Sequence, residues 1–428
     1  MSYLTFKQLD EMQKWPLAQK IQYSTEVLKD VFETCNNVAI AFSGGKDSTV
    51  LWHMIRTFFP AEQPHIIFGN TGVEYPESLA FARELGKKWG GEKFHEATPE
   101  RTQRDGLKYA AQQEVLQWLI ASKKIADVLK KDGKLRTTEA LEDAATAEMW
   151  ADFRRRGLVW PAGTLKSYWW CCDQYGFPLL GKAASKLDAR RINIDCFLRF
   201  SESDSNDEKL KDYYDMLKNV KISQHCCMEL KKKPSDRLCK ELGVDCVIMG
   251  MMASESRRRM IGFCENGPFY EVKKDWSDGK HFHAHPMGIW TDDDVWDYIR
   301  EQNCPYSPLY DIGYEQIGKD GQVEYIKIKR NGCMGCGTDL QFKNNHLSTL
   351  RRTHPKQWKA IMKYGTAEQI KCLRQYRKGG QICMLDCSSA EEVLNMHPCI
   401  FDRIDTLNLS DDTFSEYDEM VEINSDGK

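Results

Sequence analysis

The chain has 428 residues, of which 41% are hydrophobic, so it can bury one large core or two to three smaller ones. Its 60 basic and 63 acidic side chains give a formal net charge of −3, which excludes a uniformly basic nucleic-acid coat but not a local basic patch. The sequence begins without the apolar segment of a secretory signal, and no apolar run approaches the ~20 residues that span a bilayer. We therefore expect a cytoplasmic protein that does not contact a membrane.

The first hundred residues alternate between strand and helix patterns. Residues 1–35 predict a helical lead-in, and the apolar run 38–42 predicts a strand that is buried on both faces. Apolar residues then recur at helical spacing over 50–59. A second strand is predicted at 65–68, a helix from Pro76, and a third strand at 93–96. This order predicts an α/β fold with a parallel sheet flanked by helices.

The rest of the chain is less regular. Residues 99–156 are polar and carry no strand pattern, so they predict a helical insertion, and the sheet is expected to resume at 246–251. From about Lys274 onward, loops, aromatic residues and cysteines dominate. Residues 405–428 carry eight acidic side chains and one lysine, which predicts a mobile tail or a docking segment.

Sixteen cysteines make up about 4% of the chain, below the ~8–10% of disulfide scaffolds. In a reducing compartment, clustered cysteines bind metals or carry out redox chemistry more often than they form disulfides. The clustered ones form two adjacent pairs and one C-x-x-C: Cys171-Cys172, Cys226-Cys227, and Cys333 with Cys336.

A glycine-rich segment, Ser43-Gly44-Gly45-Lys46-Asp47-Ser48, connects the first strand to its helix. Two glycines let the backbone approach a polyanion, and the N–H groups at the start of a helix favour negative charge. Lys46 adds a positive charge, and Ser43 and Ser48 add hydroxyl groups. An ordinary strand-to-helix turn is the alternative, but the complete string predicts a phosphate-binding loop that is not of the Walker type.

This segment resembles the pyrophosphate-binding loop of the PP-loop ATP pyrophosphatases, which include the phosphoadenosine phosphosulfate reductase family. The chain is similar to that family over roughly residues 38–355. Five further segments resemble family motifs in the same order: Asn70–Glu77, His225–Lys232, Ser254–Arg257, Pro286–Tyr298 and Pro305–Tyr310.

The resemblance implies an adenine nucleotide alpha-hydrolase-like fold and an adenine nucleotide bound at the loop, with Thr71 and Gly72 near the adenosine and Arg257 also in the site. It further implies ATP with Mg²⁺ as a ligand, with Lys46 and Asp47 as catalytic residues. We therefore predict a lead-in at 1–35 and a nucleotide-binding domain at 36–300. An iron–sulfur and basic region is predicted at 301–400, followed by an acidic tail at 401–428.

Cys226, Cys227, Cys333 and Cys336 can supply four thiolates to one metal centre. The spacing alone allows either a structural zinc ion or a [4Fe–4S] cluster. Adjacent cysteines are uncommon in zinc sites, and the family resemblance implies the cluster.

Two other cysteine pairs are candidate thiol sites. Cys171 and Cys172 follow an aromatic stretch and are either buried packing residues or a sulfur-carrying or redox pair. Cys383 and Cys387 are a candidate mobile pair near the C-terminus.

A basic and aromatic stretch lies between Arg351 and Lys378, where nine Lys and Arg side chains accompany one acidic residue and three aromatic ones. This composition is typical of a nucleic-acid groove, and a solvated helix face is the alternative.

Two chemistries fit these motifs. The first is an adenylating, pyrophosphate-releasing sulfurtransferase, similar to the family's DNA-phosphorothioation member and served by a protein sulfur donor. The second is a sulfonucleotide reductase that releases sulfite. The complete loop and the absence of any Glu-Cys-Gly sequence favour the first. Met252 occupies the position of a family arginine, for which Arg257 to Arg259 are candidate substitutes. A nucleotide-binding regulatory or defence-system protein is the non-catalytic alternative.

Overall fold

The computed structural model describes residues 3–128, 138–178, 223, 225–273, 280–317, 322–337 and 346–362. The chain divides into two compact units. The first consists of Met1–Pro99 and Glu229–Cys333, and the second of Glu100–Met228 and Met334–Lys428.

The first unit contains a six-stranded sheet. Its strands are β1 (Val38–Phe42), β2 (His65–Gly69), β3 (Phe94–Ala97), β6 (Cys246–Met249), β7 (Phe269–Val272) and β8 (His281–Ala284). Their order across the sheet is β3-β2-β1-β6-β8-β7, and all neighbours are parallel except β7, which is antiparallel to β8 at one edge. The predicted α/β fold with a mostly parallel sheet and flanking helices is therefore confirmed.

Strand β1 lies at the point where the strand order reverses. The chain continues from β1 to β2 on one side, and β6 pairs with β1 on the other. In open α/β sheets, ligands bind in the crevice outside the carboxyl ends of the strands at this point. The segment that follows β1 therefore occupies the position where this fold class places its ligand.

Seven helices flank this sheet in the described part of the first unit: Phe6–Met12, Leu17–Thr34, Lys46–Phe58, Pro76–Leu85, Lys233–Glu241, Arg257–Asn266 and Asp292–Glu301. The helix Lys46–Phe58 follows β1 and buries the apolar stripe predicted from the sequence, including Val50, Leu51 and Met54. The lead-in helix Leu17–Thr34 is tied to the core by Lys20, whose ammonium pairs with Asp294 at 2.5 Å. Since both side chains are largely buried, the pair fixes the lead-in helix against Asp292–Glu301.

The second unit has its own helices, Tyr109–Ala121, Thr138–Ala144, Ala147–Arg155, Tyr168–Tyr175, His346–Thr353 and Pro355–Ile361. Leu107, Val115, Leu119 and Phe153 belong to its apolar core. Two short antiparallel strands, β4 (Gly106–Leu107) and β5 (Val159–Trp160), accompany these helices. The predicted helical insertion is thus mainly helical where it is described, but the expectation that it lacks strands was wrong.

The sequence located β1, β2 and the start of β6 correctly and placed β3 one residue early. The prediction of loops from about Lys274 onward was wrong, because β8 and the helix Asp292–Glu301 belong to the sheet domain. A hairpin of β9 (Gly313–Ile317) and β10 (Val323–Lys327) follows. Strand β8 has the sequence His-Phe-His-Ala, whose imidazoles mask the apolar alternation that marks a strand.

Several predicted features lie outside the described residues: Cys383, Cys387, the basic stretch beyond residue 362, and the acidic tail. Among the helices that the structure describes, none is long and apolar enough to cross a bilayer.

Candidate functional site

The loop Ser43–Ser48 connects β1 to the helix Lys46–Phe58, at the reversal of strand order. Gly44 has a φ of +70°, and a Cβ there would lie 2.9 Å from the Cβ of Ala82. Both conditions require glycine, since other residues rarely adopt this backbone conformation and the neighbouring helix leaves no space. The glycines were predicted for close approach to a ligand, and Gly44 also permits close approach of the helix Pro76–Leu85.

Hydroxyl groups accept hydrogen bonds from the loop's backbone. Ser43 N donates to Ser48 Oγ at 3.2 Å, and Gly45 N donates to Ser43 Oγ at 3.2 Å. Lys46 N donates to the hydroxyl of Tyr310 at 3.1 Å. Three N–H groups of the loop are therefore already paired with hydroxyl acceptors that a phosphate or sulfate oxygen can replace, and that of Lys46 is at the start of the helix as predicted.

The ammonium of Lys46 lies between two carboxylates. Its Nζ is 2.6 Å from Asp47 Oδ1 and 2.6 Å from Asp292 Oδ1, and the Lys46 side chain is 4% exposed. Burial alone would lower the pKa of Lys46, but the attraction of Asp47 and Asp292 outweighs it and raises the pKa. Lys46 is therefore held as a cation inside the site.

Two segments distant in sequence support the loop. Asn331 donates from Nδ2 to the Ser43 carbonyl at 3.0 Å. Gly250 follows β6, and a Cβ there would lie 2.8 Å from the carbonyl oxygen of Asp47. The absence of a side chain at Gly250 thus lets the end of β6 approach the loop closely.

Arg259 lies within electrostatic reach of the loop. Burial and the neighbouring Arg330 lower the pKa of Arg259, and Asp47 opposes this shift, so all three charges lie within electrostatic reach. Arg259 also forms an ion pair with Glu255. Arg257 is exposed, and among the described residues its guanidinium has no ion pair. The role predicted for Arg257 stays a prediction, and Arg259, two residues further along, is electrostatically coupled to Asp47 of the loop.

The predicted adenosine segment forms a tight polar turn after β2. Glu74 accepts hydrogen bonds from Thr71 N at 3.0 Å, Thr71 Oγ1 at 2.5 Å and Gly72 N at 3.0 Å. Gly72 has a φ of +80°, which explains the glycine. Thr71 and Gly72 are therefore positioned by Glu74 at the carboxyl end of β2.

A cleft lies between this turn and the loop. Its lining includes the backbone ends of β1 and β2, with Ser43, Glu74, Tyr75, Lys231 and Asn331. The lining combines apolar strand ends with a lysine and several hydrogen-bonding groups, a composition that suits a base and a sugar beside an anion. The structure thus brings the predicted loop and the predicted adenosine segment to one cleft of the first unit.

The candidate thiol pair Cys171 and Cys172 lies in the second unit, on the helix Tyr168–Tyr175. Cys171 and Cys172 are fully buried there. The buried hydroxyl of Tyr168 donates to the Gly335 carbonyl, in the C-x-x-C turn, at 2.8 Å. Burial raises the pKa of Tyr168 well above its usual range, and interactions with Cys172, Cys226 and Cys336 add to the shift. These three cysteines therefore lie within electrostatic reach of the Tyr168 hydroxyl.

The four cysteines predicted to bind a metal differ in environment. Cys226 is buried, Cys227 is exposed, and Cys333 and Cys336 are half-buried. Cys333 is the last residue of the first unit, and the other three cysteines belong to the second unit. The Sγ of Cys333 lies 3.5 Å from Thr71 Oγ1. Over the ranges that the structure describes, no group of three metal-ligating side chains is arranged to hold a metal ion. Thiolates suit both zinc and iron–sulfur clusters, so the two alternatives stay predictions.

The basic stretch is described only as far as residue 362. Arg351 lies over the ring of Trp358, 5.2 Å from its centroid, and Trp358 is buried. This tryptophan therefore packs inside the second unit, and nucleic-acid binding by the stretch stays a prediction.

The sequence did not single out Asp292, Asn331, Arg330 or Tyr168. Tyr310 was part of a quoted motif, but no role was predicted for it. Each contributes through a contact with a segment far away in the sequence, which no local pattern reveals. The sequence offered two signals: Asp292 lies inside the quoted segment Pro286–Tyr298, and Asn331 stands two residues before the C-x-x-C.

Comparison with known proteins gives a consistent result. The model of the phosphoadenosine phosphosulfate reductase domain matches residues 37–156 and 172–320. An adenosine 5'-phosphosulfate reductase from Neisseria meningitidis serogroup B is 32% identical over 115 residues, which are 27% of this chain and 42% of the relative. A phosphoadenosine 5'-phosphosulfate reductase from Xanthomonas axonopodis pv. citri is 32% identical over 88 residues, which are 21% of this chain and 32% of the relative.

The matched segments thus span less than half the length of these curated relatives. Among solved structures, a phosphoadenylyl-sulfate reductase from Candida auris in a phosphate complex matches with a TM-score of 0.31 and 17% identity. That match covers 74% of this chain and 95% of the other.

Proposed function

Because the chain belongs to the phosphoadenosine phosphosulfate reductase domain family, we propose that it is a sulfonucleotide reductase that releases sulfite from an adenosine phosphosulfate. One observation carries the proposal. The loop Ser43–Ser48 lies at the reversal of strand order, holds the buried cation of Lys46, and contributes Ser43 to the lining of a cleft suited to a nucleoside. The names of the relatives support the substrate class.

In this proposal the nucleotide lies along the cleft of the first unit. The adenosine contacts the turn that contains Thr71 and Gly72, and the phosphosulfate group lies at the loop. There it exchanges places with the hydroxyls that now accept from the loop's N–H groups. Lys46 and Arg259 then balance the negative charge that develops on the departing phosphate, as preorganised cations do.

Reduction requires a thiol, for which we propose Cys171 or Cys172. The thiolate attacks the sulfonyl sulfur, so that a sulfur–sulfur bond forms, the sulfur–oxygen bond breaks, and the nucleotide phosphate leaves with the electron pair. A thiolate of an external dithiol reductant then attacks the cysteine sulfur and displaces sulfite. The second thiol of that reductant restores the cysteine, so the dithiol supplies both electrons. Both cysteines are buried, so the helix Tyr168–Tyr175 must open for this step.

If a [4Fe–4S] cluster is bound, Cys226, Cys227, Cys333 and Cys336 would hold it. Such a cluster supplies reducing equivalents or a local charge. Each unit holds its own cysteine segment: Tyr168 donates to Gly335 of the C-x-x-C turn in the second unit, and Thr71 contacts Cys333 in the first.

A second function is favoured by a specific observation, the complete Ser-Gly-Gly-Lys-Asp-Ser loop in a chain without Glu-Cys-Gly. The enzyme would then bind ATP with Mg²⁺, adenylate an acceptor and release pyrophosphate, with Asp47 supporting the metal. A protein sulfur donor would complete the transfer. Nucleic acid bound at Arg351–Lys378 is the acceptor class that the sequence suggests.

Product analysis distinguishes these functions. Anaerobically purified protein is incubated with a dithiol reductant and either adenosine 5'-phosphosulfate or its 3'-phosphorylated form, and sulfite is measured. Parallel reactions contain ATP and Mg²⁺, with and without DNA or RNA, and pyrophosphate is measured. The proposal predicts sulfite that depends on the sulfonucleotide. Pyrophosphate without sulfite would instead establish the second function, and neither product would favour a regulatory nucleotide-binding protein.

A further inference from the structure

Three aspartates follow one another at the start of the helix Asp292–Glu301, and their environments differ. Asp294 accepts from Thr291 N at 2.7 Å and pairs with the buried Lys20 at 2.5 Å, so it is a structural residue. Asp293 is exposed and has no ion pair among the described residues. Asp292 alone reaches the loop, where its Oδ1 lies 2.6 Å from Lys46 Nζ.

This contact combines a buried cation with a solvated anion. The side chain of Lys46 is 4% exposed, whereas that of Asp292 is 61% exposed. Asp47, the other carboxylate on the ammonium, is 25% exposed and belongs to the loop itself. Of the two partners, Asp292 is therefore the one that can return to water at little cost.

The backbone of Lys46 is occupied in a similar way. Its N–H donates to the hydroxyl of Tyr310, and Tyr310 is buried. Thus both groups of Lys46 that can bind an anion are paired with residues from the later part of the first unit. A phosphate or sulfate that enters the loop must replace at least one of them.

We propose that Asp292 is an internal competitor for the anionic group of the ligand and thereby sets the affinity and the charge selectivity of the loop. Its carboxylate neutralises Lys46 while the loop is empty and moves into solvent when a phosphate or sulfate oxygen takes its place. The inference rests on the proposed function only in requiring that an anion binds at the loop.

Selectivity follows from the charge balance. A compact anion of lower charge, such as sulfate, gains little by replacing another carboxylate on Lys46, whereas pyrophosphate gains more because it carries more charge and also reaches the loop's N–H groups and Arg259. Asp292 should therefore reject weakly charged anions more strongly than polyanions. Substitution of Asp292 by asparagine removes the competing charge and retains the shape of the side chain.

The test uses the full chain and inorganic probes. Binding of pyrophosphate and of sulfate is measured by isothermal titration calorimetry for the wild type, Asp292→Asn, Asp293→Asn and Asp292→Glu, in EDTA and again with Mg²⁺. Asp293→Asn is the matched control, since it removes the same charge from the same helix turn without touching Lys46. Lys46→Ala identifies the binding that occurs at the loop, and thermal melting confirms that each variant is folded.

We expect Asp292→Asn to bind pyrophosphate about fivefold more tightly than the wild type in EDTA, the factor that corresponds to an ion pair of ~1 kcal/mol. The gain should be larger for sulfate than for pyrophosphate. Asp293→Asn should change either affinity less than twofold, and Asp292→Glu should resemble the wild type.

Equal effects of Asp292→Asn and Asp293→Asn would overturn the inference and leave the proposed function standing. Weaker binding by Asp292→Asn only in the presence of Mg²⁺ would also overturn it and would assign the carboxylate to the metal. If no variant binds either anion, Asp292 competes with nothing and the inference fails. If the fivefold gain is found but no sulfonucleotide yields sulfite, the inference holds and the proposed function fails.

Discussion

The loop of the first unit and the cysteine-bearing helix of the second are held in place by different forces. At the loop, the backbone N–H of Lys46 is paired with the hydroxyl of Tyr310, and its ammonium is paired with the carboxylates of Asp47 and Asp292. A ligand oxygen can take the place of such a hydroxyl or carboxylate oxygen. Around Tyr168, the contacts are apolar packing, buried thiols and one hydrogen bond to Gly335. The first arrangement suits reversible binding of an anion, whereas the second keeps the sulfur atoms packed away from solvent until the helix Tyr168–Tyr175 opens. Changes to charge should therefore affect the first region, and changes to shape the second.

The strongest test of the charged region is Lys46→Ala. Removing a preorganised cation from a developing negative charge typically costs about 100-fold or more in turnover, so nucleotide-dependent product formation should fall by at least that factor. Product release is measured with saturating nucleotide for the wild type and for Lys88→Ala, which removes an exposed lysine from the same unit. Retention of full turnover by Lys46→Ala would show that the loop does not take part in the reaction.

The sheet domain that carries the loop should also respond to pH through His285, which follows β8. Burial, with help from His283 and Arg259, lowers the pKa of His285 to about 4 from its ordinary value of 6.5. Tyr270 also faces this ring, with its hydroxyl 3.3 Å from Nε2. The unfolded chain therefore binds a proton at His285 more readily than the folded one. Stability is fully present above about pH 6.5 and is lost as the pH falls towards 4, by at most ~3 kcal/mol.

The measurement is the melting temperature of the wild type and of His285→Phe between pH 4 and pH 8. Phenylalanine retains the ring and removes the titrating group, so the variant should lose less stability over this interval than the wild type does. Parallel curves for the two proteins would mean that other groups cause the acid sensitivity.

Glycine substitutions test how tightly the C-x-x-C turn is packed against Tyr168. A Cβ at Gly335 would lie 2.4 Å from the ring of Tyr168, so Gly335→Ala should reduce stability by ~1–3 kcal/mol. Gly262 lies within the helix Arg257–Asn266 with no atom within 4 Å of its Cβ position, so Gly262→Ala should be neutral or stabilising. Thermal melting checks both, and a stable Gly335→Ala protein would contradict rigid packing around the C-x-x-C turn.

The sequence predicted the part of the site that is continuous in the chain. The string Ser43–Ser48 between an apolar run and a helical stripe was sufficient to predict the loop, its position after β1 and the sheet. It could not reveal Asp292 or Tyr310, because each meets Lys46 across more than 240 residues and no spacing rule joins them. For the same reason the sequence could not say which of the candidates Arg257 to Arg259 lies near the loop, and the structure shows electrostatic coupling of Arg259 to Asp47. Local patterns predict elements, but side-chain contacts depend on the packing between them.

The smallest predicted effect is that of Tyr168→Phe, which tests whether the hydroxyl itself contributes to the thiol region. The substitution retains the buried ring and removes the 2.8 Å hydrogen bond to Gly335, so stability should fall by only ~1 kcal/mol. The C-x-x-C turn should nevertheless become looser, and Cys336 should react faster with a thiol reagent such as a disulfide dye. Tyr325→Phe is the control, because Tyr325 is exposed on β10 and has no part in this packing. If Cys336 reacts at the same rate in all three proteins, the ring of Tyr168 alone positions the turn and the hydroxyl is dispensable.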